Sequence, residues 1–227
     1  ITPEEFKRML KACETVCPQD ANGWRFLLRG IWDSGLRLGE AFQVSWDQSN
    51  AIMPLRTKSG RVVLQILAGS QKNRKDQLIP TVPAFGELLD TISEDDRTGW
   101  VFKPQKRRGA GRPCEDQAGR IIADSGTAAK VLVNDDGGPA TAHDLRRSFG
   151  QRMADTGLPC RDLQAMMRHK SIRTTERYYL KHNAAAQADR IAAHLEQRNQ
   201  IDVPKNQGTH SDAHEKTARG ESSQTVV

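Results

Sequence analysis

Six polar side chains in the first 180 residues have the types and spacing that chemistry at a phosphate group requires. They are two arginines, one lysine, two histidines and one tyrosine: Arg37, Lys72, His143, Arg146, His169 and Tyr178. His143 and Arg146 are three positions apart, so they share one face if this segment is helical. The five basic side chains would repel one another unless an anion lay among them. The sequence therefore predicts a pocket that holds a phosphodiester beside a phenol.

The tyrosine and the two arginines match the first needs of phosphoryl transfer, an in-line nucleophile and neutralised non-bridging oxygens. Tyr178 supplies the nucleophile, and surrounding cations favour loss of its phenolic proton, whose ordinary pKa is about 10. Arg37 and Arg146 each carry a planar guanidinium that can bind two phosphate oxygens at once and stays charged at any working pH. Lysine in place of either arginine would lose that paired contact.

The other three residues are candidates for proton transfer. Lys72 follows a β-like run, and on a mobile hairpin its ammonium could protonate the departing 5′ oxygen. Lys58 and Lys75 also sit near predicted turns and compete for this role, although the register counted back from the next strand favours Lys72. His143 and His169 could handle protons at the tyrosine or donate hydrogen bonds to phosphate, and the sequence leaves their roles open.

The elements that must position these residues are mainly helical. A capping box of Thr2 and Glu5 begins the first helix, whose apolar face includes Cys13 and Cys17. Helical spacing and turn signals predict further helices at 22–33, 37–44, 83–92, 116–130, 141–155, 161–168, 171–180 and 184–198. β-like runs lie at 51–55, 62–67 and 77–79, with a short extended piece at 100–102. We expect an α+β fold, mainly helical, with a small antiparallel β-sheet on one edge.

The composition suits a globular domain with a polyanionic partner. The chain has 227 residues and a net charge of +6, and its last 27 residues hold three basic and four acidic groups. The basic excess therefore lies in the first 200 residues, although many proteins without a nucleic-acid partner are equally basic. Neither a long apolar run nor a signal-like start is present, so we expect a soluble, cytoplasmic protein. The four cysteines lack C-x-x-C spacing, which disfavours a zinc site and predicts free thiols.

Four segments, in order, resemble the sequence boxes of the tyrosine recombinase (phage integrase) family. The first reads SGLRLGE at 34–40, similar to T-G-L-R-x-x-E, and the second reads AHDLRRSF at 142–149, close to H-x-L-R-H-T-F. The third reads MRHKSIRTTERY at 167–178, close to L-G-H-x-x-I-x-T-T-x-x-Y. Between the first two, QKNRKDQLIP at 71–80 is similar to the turn G-K-G-x-K-x-R-x-V-P. Four boxes in the right order are hard to obtain by chance.

The resemblance implies an activity and its partners. It implies site-specific DNA cleavage and rejoining through a 3′-phosphotyrosine and a free 5′-hydroxyl, with no metal, no ATP and no other cofactor. The expected partner is double-stranded DNA, bound by a homotetramer on two duplexes, while the isolated domain is compatible with a monomer. An integrase-like catalytic domain is expected at 1–200 and a disordered polar tail at 201–227. The chain begins with Ile1 and not with a start methionine, so we expect it to be a fragment, and the resemblance implies that a DNA-clamping domain precedes it.

A cationic loop is predicted at 103–112, where two glycines separate basic residues. Its cations, together with one from a later predicted helix, are candidate DNA contacts: Lys103, Lys106, Arg107, Arg108, Arg112 and Arg173. An ordinary solvated loop is an equally good interpretation of this composition.

Some positions compete with the assigned ones or depart from the family pattern. Tyr179 is the immediate rival of Tyr178, but the spacing of nine from His169 selects Tyr178. Arg168 stands where the family usually has glycine, and the segment 51–70 is longer than the usual strand pair. Glu40 is expected to orient an arginine or to pack internally.

Two other functions remain alternatives to the recombinase hypothesis. A type IB topoisomerase-like nicking and closing enzyme would use a similar set of residues, but the wording of the boxes favours the recombinase. A catalytically decayed DNA-binding accessory protein would not need all six positions filled. A metal-dependent nuclease is disfavoured because no carboxylate cluster accompanies the histidines.

Overall fold

The structure is a computed structural model that describes residues 1–48, 52–67, 76–133, 137–179, 191, 192 and 195. The chain divides into two units, Ile1–His182 and Asn183–Val227. In the second unit Ile191, Ala192 and Leu195 are helical and exposed, in line with the helix predicted at 184–198. The rest of that helix, and the tail predicted to be disordered at 201–227, lie outside the described residues.

The first unit is mainly helical, as the sequence predicts. Its α-helices, in chain order, are α1 (Pro3–Val16), α2 (Ala21–Ser34), α3 (Leu38–Phe42), α4 (Pro83–Asp90), α5 (Glu115–Ala128), α6 (Ala142–Asp155), α7 (Cys160–Met167) and α8 (Ile172–Glu176). The strands, which lie between α3 and α4, are β1 (Ile52–Arg56), β2 (Val62–Ile66) and β3 (Gln77–Pro80). The predicted α+β class with one small sheet is confirmed.

α3 and α8 end earlier than predicted because their ends make other contacts. α3 ends at Phe42 instead of 44, since Val44 forms a bridge with Ile52 and so joins the edge of the sheet. α8 ends at Glu176, and the backbone then tightens into turns in which the Tyr178 amide donates to the Thr175 carbonyl at 3.0 Å. The turn after α8 therefore contains Tyr178, a residue of the predicted site.

The first helix begins as predicted. The Glu5 amide donates to Thr2 Oγ1 at 3.2 Å, and the Thr2 amide donates to Glu5 Oε2 at 2.8 Å, which completes a capping box. Pro3 occupies the first turn, where its missing N–H leaves no bond unmade. Cys13 and Cys17 are buried, and all four cysteines of the chain are free thiols.

The sheet is antiparallel in the order β1-β2-β3, with Leu64 opposite both Pro54 and Ile79. Alternate residues such as Leu64 and Ile79 are buried, while Leu55 and Leu78 on the other face are exposed. Lys72 belongs to the segment between β2 and β3, and residues 68–75 lie outside the described residues. Its predicted place on a hairpin tip therefore stays a prediction.

Buried apolar side chains of the described residues form two clusters. The larger joins α1, α2, α5 and the inner face of the sheet around Trp24, Phe85 and Phe102. The smaller belongs to α6 and α7, and its members are Phe149, Ala154, Leu163, Met166 and Met167. Tyr178 and Tyr179 pack against this second cluster, which therefore supports the C-terminal part of the site.

Gly35 ends α2 and sets the direction of the chain into α3. Its φ of 66° is left-handed, and its amide donates to the Ile31 carbonyl at 2.9 Å. A Cβ at this position would lie 2.3 Å from Cδ1 of Phe149, on the facing surface of α6. Only glycine satisfies both the backbone angle and the close approach of the two helices.

Gly35→Ala should destabilise the fold more than a matched glycine substitution. The left-handed backbone costs about 1 kcal/mol for alanine, and the collision with Phe149 adds roughly 2 kcal/mol through overpacking. Gly60 is the control, since its φ is 77° and no atom of the described residues lies within 4 Å of a Cβ there. Urea denaturation should give Gly35→Ala the larger loss of unfolding free energy. Equal losses for the two variants would contradict this account of the contact.

Candidate active site

Five of the six residues predicted to form the site line one cavity of about 670 Å³. They are Arg37, His143, Arg146, His169 and Tyr178. Residues between 37 and 178 in the sequence thus meet around one space, from α3, α6, the α7–α8 junction and the turn after α8. The sixth residue, Lys72, lies outside the described residues.

One face of α6 presents its residues to this cavity. His143 and Arg146 are three apart, as predicted, and Gly150 continues the same face one turn further on. Asp144 Oδ2 accepts from the Thr141 amide at 3.0 Å and from Thr141 Oγ1 at 2.6 Å, which fixes the start of the helix. His143 is exposed in the first turn, whereas Arg146 is buried one turn deeper.

Arg146 joins the two parts of the chain that form the site. Only 3% of the residue is exposed, and its guanidinium donates to the main-chain carbonyls of Gly35 and Met167. Gly35 ends α2 and Met167 ends α7, so this one side chain connects both ends. Burial, and then the charge of Arg37, lowers the pKa of Arg146 to about 10. The guanidinium is therefore still a cation at neutral pH.

Glu40 on α3 is the shared partner of the guanidiniums at the cavity. Its Oε2 accepts from the Arg37 amide at 3.0 Å, and its Oε1 accepts from Arg37 Nη1 at 2.8 Å. Arg168 Nη1 donates to the same Oε1 at 2.9 Å, and Arg146 Nη1 lies 3.8 Å from Oε2. The expectation that Glu40 orients an arginine is confirmed for Arg37. Because the carboxylate takes the Arg37 amide, that donor is no longer available to an anion at the start of α3.

His169 is held in its neutral form. Its Nδ1 lies 2.9 Å from Oγ1 of the fully buried Thr175, and its carbonyl accepts from Gln164 Nε2 at 3.1 Å. Burial, followed by the charges of Arg146 and Arg37, lowers the pKa of the imidazole to about 4. At neutral pH His169 can therefore accept a proton or donate a neutral hydrogen bond, according to its tautomer.

Tyr178 and Tyr179 have different surroundings. Tyr178 lines the cavity, where its ring lies parallel to the His169 ring at a centroid distance of 6.2 Å. The ring packs so closely on α6 that a Cβ at Gly150 would lie 2.8 Å from its Cζ. Burial raises the pKa of the Tyr178 phenol, while the charges of Arg146 and Arg147 oppose this rise. The Tyr179 hydroxyl instead donates a hydrogen bond to the Leu158 carbonyl. This contact holds the side chain within the domain.

Sequence reasoning missed several members of the site. Arg147 and Arg177 also line the cavity, next in sequence to Arg146 and Tyr178. Thr175 stands in the third box without an assigned role, although its hydroxyl contacts His169. Their positions beside assigned residues in the boxes could have indicated them. Which of these side chains face the cavity depends on how the helices pack, which the sequence does not give.

The cationic loop at 103–112 has no helix or strand, as predicted. Within it, the Arg112 guanidinium lies 4.6 Å from the ring centroid of Phe42 and 4.5 Å from that of Trp100, and it donates to the Phe42 carbonyl at 2.8 Å. Arg107 Nη2 donates to Asp124 at 2.5 Å. These two arginines are engaged in contacts within the domain.

The other candidate DNA contacts lie elsewhere on the surface. Lys103 and Arg108 are exposed, and Lys106 is partly exposed. Lys106, Arg107 and Arg108 line a second cavity of about 390 Å³, and Arg173 is exposed on α8. The main cavity has none of these candidates among its lining residues.

The described residues offer neither a metal-binding cluster nor a membrane span. The part of the chain that the structure describes contains no group of three or more His, Cys, Asp or Glu residues arranged to hold a metal ion. Its helices include none with the length and apolar character needed to cross a membrane.

Comparisons with known proteins relate the chain to recombinases and integrases. The model of the phage integrase family matches residues 1–186. Tyrosine recombinase XerA of Pyrococcus furiosus is 25% identical over 180 residues, which cover 78% of this chain and 56% of that protein. The solved catalytic domain of bacteriophage HP1 integrase aligns with a TM-score of 0.53 and 16% identity, covering 92% of this chain and 98% of that one. A lambda integrase dimer bound to a COC′ core site aligns with a TM-score of 0.54 and 18% identity, covering 78% and 58%.

The chain spans about half the length of the curated relatives that it matches. At these identities the solved structures establish the fold alone, a mainly helical domain with a small antiparallel sheet.

The lowered pKa of His169 can be tested by NMR. Its imidazole resonance, assigned by comparison with His169→Asn, should stay unchanged between pH 8 and about 5.5, because the ring is neutral well above its pKa of about 4. Protonation should appear only in more acidic solution. A midpoint near the ordinary value of about 6.5 would contradict the buried, cation-flanked setting of this ring.

Proposed function

The chain belongs to the phage integrase family, and we propose that it cuts and rejoins DNA strands at specific sites through a covalent bond between Tyr178 and a 3′ phosphate. The observation that carries the proposal is the single cavity in which a phenol meets Arg37 and Arg146. A phosphodiester is the ligand that this combination suits, because two guanidiniums can bind its non-bridging oxygens while the phenol attacks phosphorus.

In the first step the Tyr178 oxygen attacks the scissile phosphorus. A bond forms between that oxygen and phosphorus, and the bond from phosphorus to the 5′ oxygen breaks. The products are a 3′-phosphotyrosine and a free 5′-hydroxyl. In the second step the 5′-hydroxyl of another DNA end attacks the same phosphorus and releases the tyrosine. One phosphoester bond is exchanged for another at each step, so the reaction needs no external energy source.

Two proton transfers accompany the first step. The raised pKa of Tyr178 means that the phenol carries its proton until it attacks. We assign the acceptor role to the neutral His169 ring beside it, because negative charge that develops on the phosphoryl oxygens offsets the cations that lower the pKa of this imidazole in the resting site. The departing 5′ oxygen needs a proton in return. We assign this role to Lys72, because its position in the sequence box matches the family's lysine. In the sequence it lies between β2 and β3.

Charge stabilisation is the task of the arginines. Two carbonyls fix Arg146 and Glu40 fixes Arg37 before the reaction begins. Neither guanidinium therefore has to reorganise when negative charge develops on the phosphoryl oxygens. His143 is exposed at the first turn of α6 and lines the same cavity, and we assign it a hydrogen bond to the same phosphate.

The proposal extends to partners. Double-stranded DNA is the proposed substrate, which agrees with the core site to which the lambda integrase dimer is bound. Exchange between two duplexes needs four active sites, so we propose a homotetramer on two DNA sites as the working form. We place the reaction in the cytoplasm, where the DNA substrate is present.

A covalent DNA adduct tests the proposed chemistry. A suicide duplex, nicked near the scissile phosphate, should trap the protein as a species that survives denaturing electrophoresis. Tyr179→Phe should still form the adduct, because the Tyr179 hydroxyl donates a hydrogen bond to the Leu158 carbonyl within the domain. Tyr178→Phe should bind the duplex but form no adduct.

Three results would count against the proposal. If Tyr178→Phe still forms the adduct, the nucleophile has been assigned wrongly. If the unmodified protein binds the duplex without any adduct, it is a DNA-binding protein without strand-transfer activity. Relaxation of supercoiled DNA without exchange between duplexes would instead favour a nicking and closing enzyme.

A further inference from the structure

Arg168 stands where the third box usually has glycine, and its backbone has a conformation that favours glycine. It ends α7 with φ 50° and ψ 44°, a left-handed conformation that glycine adopts without steric cost and arginine does not. Backbone bonds hold this conformation, since the Arg168 amide donates to the Ala165 carbonyl and the His169 amide to the Gln164 carbonyl, each at 3.2 Å. The arginine side chain is therefore the feature of this position that needs an explanation.

The side chain of Arg168 is directed into the domain. Its Nη1 donates to Glu40 Oε1 at 2.9 Å, across 128 positions of sequence, and the side chain is only 21% exposed. Its Nε is buried and has no hydrogen-bond partner among the described residues. The ion pair with Glu40 thus fixes this side chain, although its backbone is left-handed and its Nε is unpaired among the described residues.

This ion pair reaches Arg37 through a shared oxygen. Glu40 Oε1 accepts from both Arg168 and Arg37, at 2.9 Å and 2.8 Å. The carboxylate is thus fixed from two sides, and the Arg37 guanidinium that it orients is fixed with it. Since Arg168 is covalently joined to His169, the same contact restricts the distance between His169 and Arg37, which both line the cavity.

The ion pair also changes the charge that a phosphate would meet. Without Arg168, the negative charge of Glu40 would act on Arg37 and Arg146 alone and weaken their attraction for an anion. With it, one carboxylate is shared among three guanidiniums. The cluster therefore keeps an excess of two positive charges beside the reacting group.

We propose that Arg168 is a positioning residue for strand cleavage: its ion pair with Glu40 fixes the carboxylate that orients Arg37 and offsets the carboxylate's negative charge. This inference rests on the proposed function, because it concerns the rate of attack by Tyr178. The position is informative because the family box has glycine there, so this chain replaces a flexible residue with a charged cross-link.

Arg168→Gly is the decisive variant because glycine removes the side chain and also relieves the strained backbone. Its resistance to urea should equal or exceed that of the unmodified protein. Its single-turnover cleavage rate on the nicked duplex, at saturating protein, should fall by about 10- to 100-fold, since a displaced guanidinium costs catalysis far more than folding. A purely structural role would give the opposite pattern, with lower stability and an unchanged rate.

Three further variants separate charge from position. Arg168→Lys, which keeps a cation near Glu40, should recover part of the lost rate. In a Glu40→Gln background, Arg168→Gly should cause little further loss, because the two residues act as one unit. Arg161→Ala removes an exposed cation from the same helix, α7, and should cleave at the unmodified rate.

The outcomes distinguish this inference from the proposed function. If the unmodified protein forms no adduct, strand transfer itself is wrong, and the inference falls with it. If the unmodified protein forms the adduct and Arg168→Gly cleaves at the same rate, only the role of Arg168 is overturned. Independent, multiplying effects of Arg168→Gly and Glu40→Gln would overturn it as well.

Discussion

The site depends on the interaction of one carboxylate with three guanidiniums. Glu40, whose side chain is 14% exposed, meets Arg37, Arg146 and Arg168 at distances between 2.8 and 3.8 Å. These cations come from α3, α6 and the end of α7, and without the carboxylate they would repel one another in a partly buried space. Glu40 therefore allows residues far apart in the sequence to form one cavity, yet a single negative charge leaves the cluster cationic. An anion is the partner that completes it.

Burial then sets the protonation state of each reactive group. Arg146 is buried deeply enough for its pKa to fall, yet it stays charged near neutral pH. Burial also keeps His169 neutral and raises the pKa of Tyr178, so the proposed nucleophile and its candidate proton acceptor are both uncharged at neutral pH. Gly150 and the α6–α7 apolar cluster hold the phenol ring against α6. The fold thus separates permanent charge, carried by the arginines, from the groups that we propose to exchange protons during the reaction.

The sequence predicts the parts of this arrangement that depend on local spacing. The capping box at Thr2 and the shared face of His143 and Arg146 both follow from short-range patterns, and the structure contains both of them. The contact between Arg168 and Glu40 spans 128 positions, and its partners could not be paired before the relative placement of α3 and α7 was known. The cationic loop shows the same limit, because charge alone did not reveal that Arg112 packs between two aromatic rings.

The central claim is that this cavity binds the scissile phosphate of DNA between Arg37 and Arg146, beside Tyr178. A crystal structure of Tyr178→Phe with a duplex that contains the cleavage site tests this most directly. We predict non-bridging phosphate oxygens within about 3.2 Å of both guanidiniums, with the substituted ring at position 178 facing the phosphorus. A scissile phosphate bound elsewhere, for example in the cavity lined by Lys106 and Arg108, with the ring at position 178 remote from it, would contradict the claim.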